Sequence, residues 1–157
     1  KFKIYNMITI EDLKKKQSEK CRFIGLDLGS KRIGVSICDE KQSIATPFRT
    51  INKTNTNELI AELKEIINEY KIKGLIIGNP INMDGTLGRS AQSVNDISNN
   101  LDQKIDIDVC LWDERLSTVG AFNLSGQLNV NVSKREKHID QNAAAFILQG
   151  AIDFLNN

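Results

Sequence analysis

The sequence predicts an α/β domain built on a mixed five-stranded sheet with helices on both faces. Three short apolar or alternating segments follow one another between Phe23 and Phe48 with only turn-length gaps, the signature of an antiparallel meander. Segments of helical period then alternate with two further strand-like segments, the pattern of βα units. The hydrophobic fraction of 40% and charged fraction of 26% are ordinary for a globular chain, and 157 residues leave little room for a second independent core.

Residues 1–20 end in the polar run Lys14 to Lys20, which has no place in a core, and read as an N-terminal arm with a short helix from Thr9 onward. The domain proper is expected over residues 21–157. Phe23, Ile24, Leu26 and Leu28 make the first strand, closed by Gly29-Ser30; Ile33, Val35 and Ile37 alternate as the second, and Ile44 to Phe48 form the third. Leu59, Leu63, Ile66, Ile67 and Tyr70 recur at helical spacing, with Asn55 and Glu58 as a capping-box start. Gly74 to Gly78, leucine- and isoleucine-rich, suits a parallel strand covered on both faces and is closed by Asn79-Pro80. Ala91, Val94, Ile97 and Leu101 mark a second helix, and Ile105, Ile107, Val109 and Leu111 alternate as a more exposed strand. A helix near Leu116 to Leu124, a polar loop from Ser125 to Lys137 and a final helix from about Ile139 to Leu155 complete the chain. A meander followed by βα units is the arrangement of an RNase H-like domain, although many α/β folds share parts of it.

The formal charge is +1, from 21 basic and 20 acidic residues, so bulk electrostatics do not point to nucleic acid and any such partner must be recognised locally. Cys21, Cys38 and Cys110 lie far apart without a Cys-x-x-Cys pair, which suits reduced thiols better than a disulfide framework. No apolar run approaches the roughly 20 residues that span a bilayer, and no apolar core with a small-residue cleavage site marks a secretory signal. A cytoplasmic chain with no membrane partner is expected.

Carboxylates supply the chemistry. Asp27 sits inside the first apolar run, where an ionised group is costly unless paired or bound to metal. Asp113 and Glu114 follow Trp112 at the end of another strand, and Asp140 opens the last helix with Ala143, Ala144 and Ile147 at the spacings that share its face. If Asp27, Glu114 and Asp140 converge, they suit Mg²⁺ or Mn²⁺, which take oxygen ligands and keep positions open for water and phosphate. Two such ions can serve both the attacking water and the leaving oxygen of a phosphodiester. Each acid also has a plainer reading. Asp27 could pair with a cation, Glu114 has Arg115 beside it, and Asp140 could be a helix-start residue favoured by the macrodipole.

Basic residues surround these positions. Lys31 and Arg32 join two strands beside Asp27, as phosphate contacts or as the solvated tip of a hairpin. The glycine-containing loop from Gly78 to Arg89 leaves the carboxyl end of a buried strand and enters a helix, a place that favours anions and serves equally as a plain connection. It lacks the Gly-Lys-Ser/Thr ending of a Walker A loop. Lys134, Arg135, Lys137 and His138 lie in the polar loop, as backbone contacts or a solvated charge run. His138 is the only histidine, which excludes multi-histidine metal sites, and no Gly-x-Ser-x-Gly elbow supports a serine triad.

Four stretches together resemble the motifs of the YqgF family, also called RuvX, RNase H-like relatives of the RuvC Holliday-junction resolvases. Gly25-Leu26-Asp27-Leu28-Gly29-Ser30-Lys31-Arg32-Ile33-Gly34-Val35 is similar to the first motif, and Gly78 to Gly88 with Asn82-Met83-Asp84-Gly85-Thr86 to the second. Trp112-Asp113-Glu114-Arg115-Leu116-Ser117-Thr118 resembles the third, and Ile139-Asp140 with Ala143-Ala144 and Ile147-Leu148-Gln149 the fourth. The resemblance runs from about Phe23 to Phe154 in the family's order. Asn79 and Ile81 depart from the usually apolar second motif, and Glu136 makes the loop before Asp140 less basic than usual.

The resemblance implies an RNase H-like fold and a metal-dependent nuclease whose catalytic and metal-binding carboxylates are Asp27, Glu114 and Asp140. The role of Asp113 stays open, either as a support behind the metal-binding carboxylates or as the group that orients Arg115. Nucleic-acid contacts are expected from Lys31, Arg32, Arg89, Arg115, Lys134 and Arg135. The implied substrate is the 5′ end of precursor 16S ribosomal RNA, with branched DNA as the alternative, and the chain is expected as a monomer or homodimer. A non-catalytic RNA-binding or transcription-associated factor is the competing class. An actin-like ATPase needs two large lobes, which 157 residues do not provide.

Overall fold

The centre of the sheet is the first strand, β1 (Phe23–Leu28), paired antiparallel on one side with β2 (Arg32–Cys38) and parallel on the other with β4 (Gly74–Asn79). The structure, a computed structural model, describes residues 7–81, 84–86, 88–116 and 132–157, with side chains in the last stretch from residue 142 onward. The remaining elements are β3 (Ala45–Asn52), β5 (Asp108–Asp113), and the helices α1 (Ile10–Lys16), α2 (Thr56–Tyr70), α3 (Arg89–Lys104) and α4 (Val132–Asn156), with a 3₁₀ turn over Glu114–Leu116. Strand order is β3-β2-β1-β4-β5, a five-stranded mixed sheet as expected.

Alternation along the strands divides the core in two. Ile24, Leu26, Ile33, Val35, Leu75 and Ile77 face α2 and α3, where Leu59, Leu63, Val94 and Leu101 meet them. Phe23, Ile76, Cys110 and Trp112 face the other way, against Ile147, Leu148 and Ile152 of α4 and Ile10 and Leu13 of α1. α2 begins where Asn55 accepts a hydrogen bond from the Glu58 backbone N–H (2.9 Å) and ends at Lys71, held in the left-handed region at φ 55°.

Helix α4 is tied to the β2–β3 turn at its far end. The Gln149 side chain accepts from Ala45 N (2.8 Å) and donates to Ser43 O (3.0 Å), and Asn156 Nδ2 donates to Gln42 O (2.7 Å). Near its middle it lies directly on the sheet. A Cβ at Gly25 would come within 2.4 Å of Ser36 Oγ, 2.7 Å of Leu148 Cβ and 2.8 Å of the Ala144 carbonyl, so only glycine permits this approach. Ser36 Oγ donates to that carbonyl at 2.7 Å and seals the contact.

Several boundaries differ from the sequence expectation for physical reasons. β3 runs on to Asn52, because an edge strand tolerates Arg49, Thr50 and Asn52 while still pairing with β2. β5 starts at Asp108 rather than Ile105; Ile105 is buried beneath the end of α3, its N–H donating to Leu101 O. α4 starts at Val132, so residues 132–137 of the expected loop are helical; Lys, Arg and Glu are good helix formers, and polarity there does not signal a loop. The expected helix from Leu116 to Leu124 lies outside the described residues beyond the 3₁₀ turn. The segment expected as an arm does carry the helix capped by Thr9, whose Oγ1 accepts from Asp12 N (3.1 Å), and its Ile10 and Leu13 are buried. Ile8 forms a parallel bridge with Cys110, which covers the β5 edge. Among the described residues no helix is long and apolar enough to cross a membrane.

Candidate active site

Asp27 stands near the carboxyl end of the central strand, opposite Gly34 of β2. Since Phe23 and Gly25 point toward α4, alternation puts Asp27 on the same face. It is partly exposed, past the last residue pair that β1 shares with β4.

Glu114 arrives from two strands away. β5 ends at Asp113, paired with Asn79 of β4, and the 3₁₀ turn carries the next side chain back over the sheet. The Glu114 carboxyl carbon lies 3.2 Å from where a Cβ on Gly78 would stand, so the missing side chain at 78 is the space the glutamate uses. Ile147 of α4 closes the other side of that space, its Cδ1 2.4 Å from the same point. Gly78 is one step beyond Ile77, the partner of Leu26, which puts the glutamate beside Asp27. Its protonation records the proximity: burial first, then the Asp27 charge and, more weakly, Asp113 together raise the Glu114 carboxyl to about 7.

Asp113 has a different occupation. Its carboxylate accepts the Arg115 backbone N–H (3.0 Å) and a forked guanidinium contact, with Nη2 to Oδ2 at 2.7 Å. Those bonds hold it below the usual carboxylate range. Asp113 therefore clamps the turn that presents Glu114. The Arg115 guanidinium also approaches the second loop, with Nη1 3.7 Å from the Cβ position of Gly85. In that loop Asp84 accepts from Thr86 Oγ1 (2.6 Å) and N (2.9 Å), and these bonds, with a smaller contribution from Arg115, hold its carboxyl below the usual carboxylate range.

The other expected residues fall as follows. Lys31 is exposed in the β1–β2 turn, its carbonyl accepting from Lys53 N (3.0 Å), and Arg32 is half-buried at the start of β2. Arg89 is exposed at the first position of α3. Lys134, Arg135 and Asp140 belong to α4, but their side chains lie outside the described residues. Asp140 precedes Ala144 by one helical turn, ~6 Å along the axis, and Ala144 is where the helix is pinned to Ser36. Among the described residues no three His, Cys, Asp or Glu side chains form a metal-holding group; the pair brought together is Asp27 and Glu114. Sequence reasoning missed Gly78 as the residue that makes room for Glu114. Its only signal was a glycine ending an otherwise bulky strand.

The β3-β2-β1-β4-β5 order of the mixed sheet, with helices on both faces, defines the class: an RNase H-like domain. The fold is similar to that of T. thermophilus RuvC in complex with a Holliday junction substrate, with a TM-score of 0.54 at 12% identity, covering 84% of this chain and 93% of that one. It is also similar to the yeast mitochondrial Holliday junction resolvase Ydc2, with a TM-score of 0.53 at 10% identity, covering 94% of this chain and 84% of that one. Residues 21–154 match the family described as RuvX, Holliday junction resolvase, and the chain belongs to that family. A relative from Pelagibacter ubique, named as a candidate pre-16S rRNA nuclease, is 78% identical over 151 residues, 96% of this chain and 100% of its own length. A Rhizobium meliloti protein of the same name is 40% identical over 95% of this chain and 90% of its own length. The chain is a phosphodiester-cleaving hydrolase that acts on nucleic acid.

Proposed function

We propose that this chain is a metal-dependent nuclease that trims the 5′ end of precursor 16S rRNA, with Asp27, Glu114 and Asp140 as the acids that hold Mg²⁺ or Mn²⁺. The observation that carries the proposal is the meeting of Asp27 and Glu114 over Gly78. The Asp27 charge makes ionisation of Glu114 costlier, the two carboxylates form an all-oxygen donor set, and a hard divalent cation fits it by offsetting that repulsion. When bound, such a cation supplies positive charge against the phosphate and the departing oxygen.

The chain's own groups do the positioning. Asp27 is fixed by the central strand, Glu114 by the Asp113–Arg115 clamp, and Ile147 of α4 closes one side of the space that Glu114 enters. Lys31, Arg32 and Arg89 stand at the same end of the sheet as Asp27, on the side from which phosphates flanking the scissile bond would approach. The names carried by the Pelagibacter and Rhizobium relatives support precursor rRNA as the substrate.

The family description favours a second reading, a four-way DNA junction. A resolvase cuts two strands symmetrically and would act as a homodimer, whereas trimming of one RNA end suits a monomer. Incubating the protein with Mg²⁺ or Mn²⁺ and either a precursor-rRNA fragment or a four-way junction separates them. Cleavage of the RNA alone is the expected result; cleavage of the junction alone would transfer the assignment to DNA. Folded protein that binds RNA and cuts neither would make it a binding factor instead.

A further inference from the structure

The charged residues of this nearly neutral chain are not spread evenly. At the end of the sheet opposite Asp27, a cleft of about 930 Å³ runs between the carboxyl ends of α2 and α3 and the start of β5. Lys16, Lys64, Lys71, Lys73 and Lys104 line it, against only Asp106 and Asp108. Asp108 is taken up by Lys16 at 2.9 Å, which leaves four lysines facing one aspartate in a molecule whose net charge is +1. The floor is apolar, with Ile72 and Ile105 buried.

We infer that this cleft is a second nucleic-acid contact, a phosphate-backbone site that anchors a substrate long enough to reach around the domain from the catalytic edge. The inference rests on the nuclease reading above for its choice of polyanion. β4 separates the two sites: Lys73 immediately precedes it and Gly78 is near its other end. Five residue steps of about 3.3 Å put ~17 Å between them. A single phosphodiester cannot touch both, but a folded RNA can.

The lining chemistry selects among acidic partners. The charged donors are all lysines, with no arginine and no aromatic side chain. Protein interfaces enrich Arg, Tyr and Trp and deplete Lys, so the cleft is poorly suited to a protein partner. Lysine acts as a mobile point charge that neutralises phosphates without reading bases, as sequence-independent anchoring requires.

The position of Lys71 is a separate indication. It closes α2 at φ 55°, a left-handed conformation that glycine adopts with less strain, and its N–H caps the Ile67 carbonyl. Geometry alone would favour glycine there, whereas a phosphate contact needs the ammonium. Lysines at a helix carboxyl end also complement the macrodipole, so a purely structural role predicts that removing them lowers stability. The two roles differ in what Lys71→Gly does.

The test uses the full chain carrying Asp27→Asn, so that binding is scored without cleavage and does not depend on whether the nuclease reading holds. Affinity for a folded precursor-rRNA fragment and for a short oligonucleotide is measured across a salt series, with and without Lys64→Gln, Lys71→Gly, Lys73→Gln and Lys104→Gln together. The expected result is a loss of at least tenfold for the folded RNA and a salt slope shallower by about 3, with a much smaller change for the oligonucleotide. Lys71→Gly alone should weaken RNA binding while leaving the melting temperature unchanged or higher. Equal affinity and slope for the folded RNA, or a lower melting temperature with RNA binding intact, would overturn the inference. Competition by polyglutamate as effective as that by RNA of equal charge would also overturn it, by making the cleft a general polyanion surface.

Discussion

The two faces of the sheet use the same strands for opposite purposes. Toward α2 and α3, β1, β2 and β4 present Ile24, Leu26, Ile33, Val35, Leu75 and Ile77, and the space is filled with aliphatic carbon. Toward α4 they present Phe23 and Ile76 but also the small Gly25, Gly34, Ser36 and Gly78, with Ala143, Ala144 and Ala151 on the helix. Small residues let the helix lie almost on the backbone and leave a gap at the strand ends that Asp27 and Glu114 occupy. The filled face holds the fold together; the thinned face makes room for acids that a bulky layer would exclude.

Adjacent residues break the comparison most sharply. Leu26→Ala should cost about 2–5 kcal/mol of stability through an internal cavity, measured by chemical denaturation, while the protein that remains folded keeps its activity. Asp27→Asn, one residue away and on the other face, should leave stability nearly unchanged and lower cleavage about 10³-fold. A large stability loss from Asp27→Asn would mean that the aspartate is a structural ion-pair partner.

The two close glycines should separate in the same manner. At Gly25 a side chain meets the Ala144 backbone at 2.8 Å, which cannot yield, so Gly25→Val should destabilise by ~3 kcal/mol. At Gly78 the nearest atom is the tip of Ile147, which can turn away, followed by the Glu114 carboxyl. Gly78→Ala should therefore cost only ~1 kcal/mol but reduce activity at least tenfold by displacing the glutamate. Comparing melting curves with single-turnover rates checks both.

Glu114 gives the thinned face a pH dependence. Its carboxyl is raised to about 7 from an ordinary 4.5. Below 4.5 it is protonated folded and unfolded alike; between 4.5 and 7 only the folded protein keeps the proton. Metal-free stability should thus fall as pH rises through that window, by at most ~3 kcal/mol. Glu114→Gln should remove the slope. A metal-free protein equally stable at pH 5 and pH 8 would contradict the crowding of the two acids.

Away from both faces the effects shrink. Asp39, at the β2–β3 turn, accepts from Ser43 N and Oγ (2.7 Å each) and Ile44 N (3.0 Å), and those bonds hold its carboxyl at about 2. Its contribution is present above the ordinary value of 3.8 and is lost as pH falls toward 2. Solvent screening at this exposed site should keep Asp39→Ala under ~1 kcal/mol, read from acid unfolding curves.

The filled face was legible in the sequence because Ile24, Leu26, Leu75 and Ile77 stand in short apolar runs in β1 and β4, and α2 announces itself through Leu59, Leu63 and Ile66. The thinned face was harder to read. Gly25 and Gly78 look like ordinary punctuation until α4 is laid across them, and a helix's approach distance leaves no periodic trace. Ile105 and Ile107 alternate as strand residues do, yet Ile105 caps the end of α3 and Ile107 lies in the bend before β5, since period two over three residues also fits a bend. The acids themselves stood out, Asp27 as a charge in a core strand and Glu114 beside Trp112, but their meeting depends on a crossover between strands that spacing does not encode.

The claim that the thinned face is a metal site is tested most directly by Mn²⁺ binding, followed by calorimetry at pH 8. Wild-type protein should bind Mn²⁺ with an affinity that Asp27→Asn and Glu114→Gln each reduce at least tenfold. Binding by both variants equal to that of the wild type would contradict the assignment of these two carboxylates.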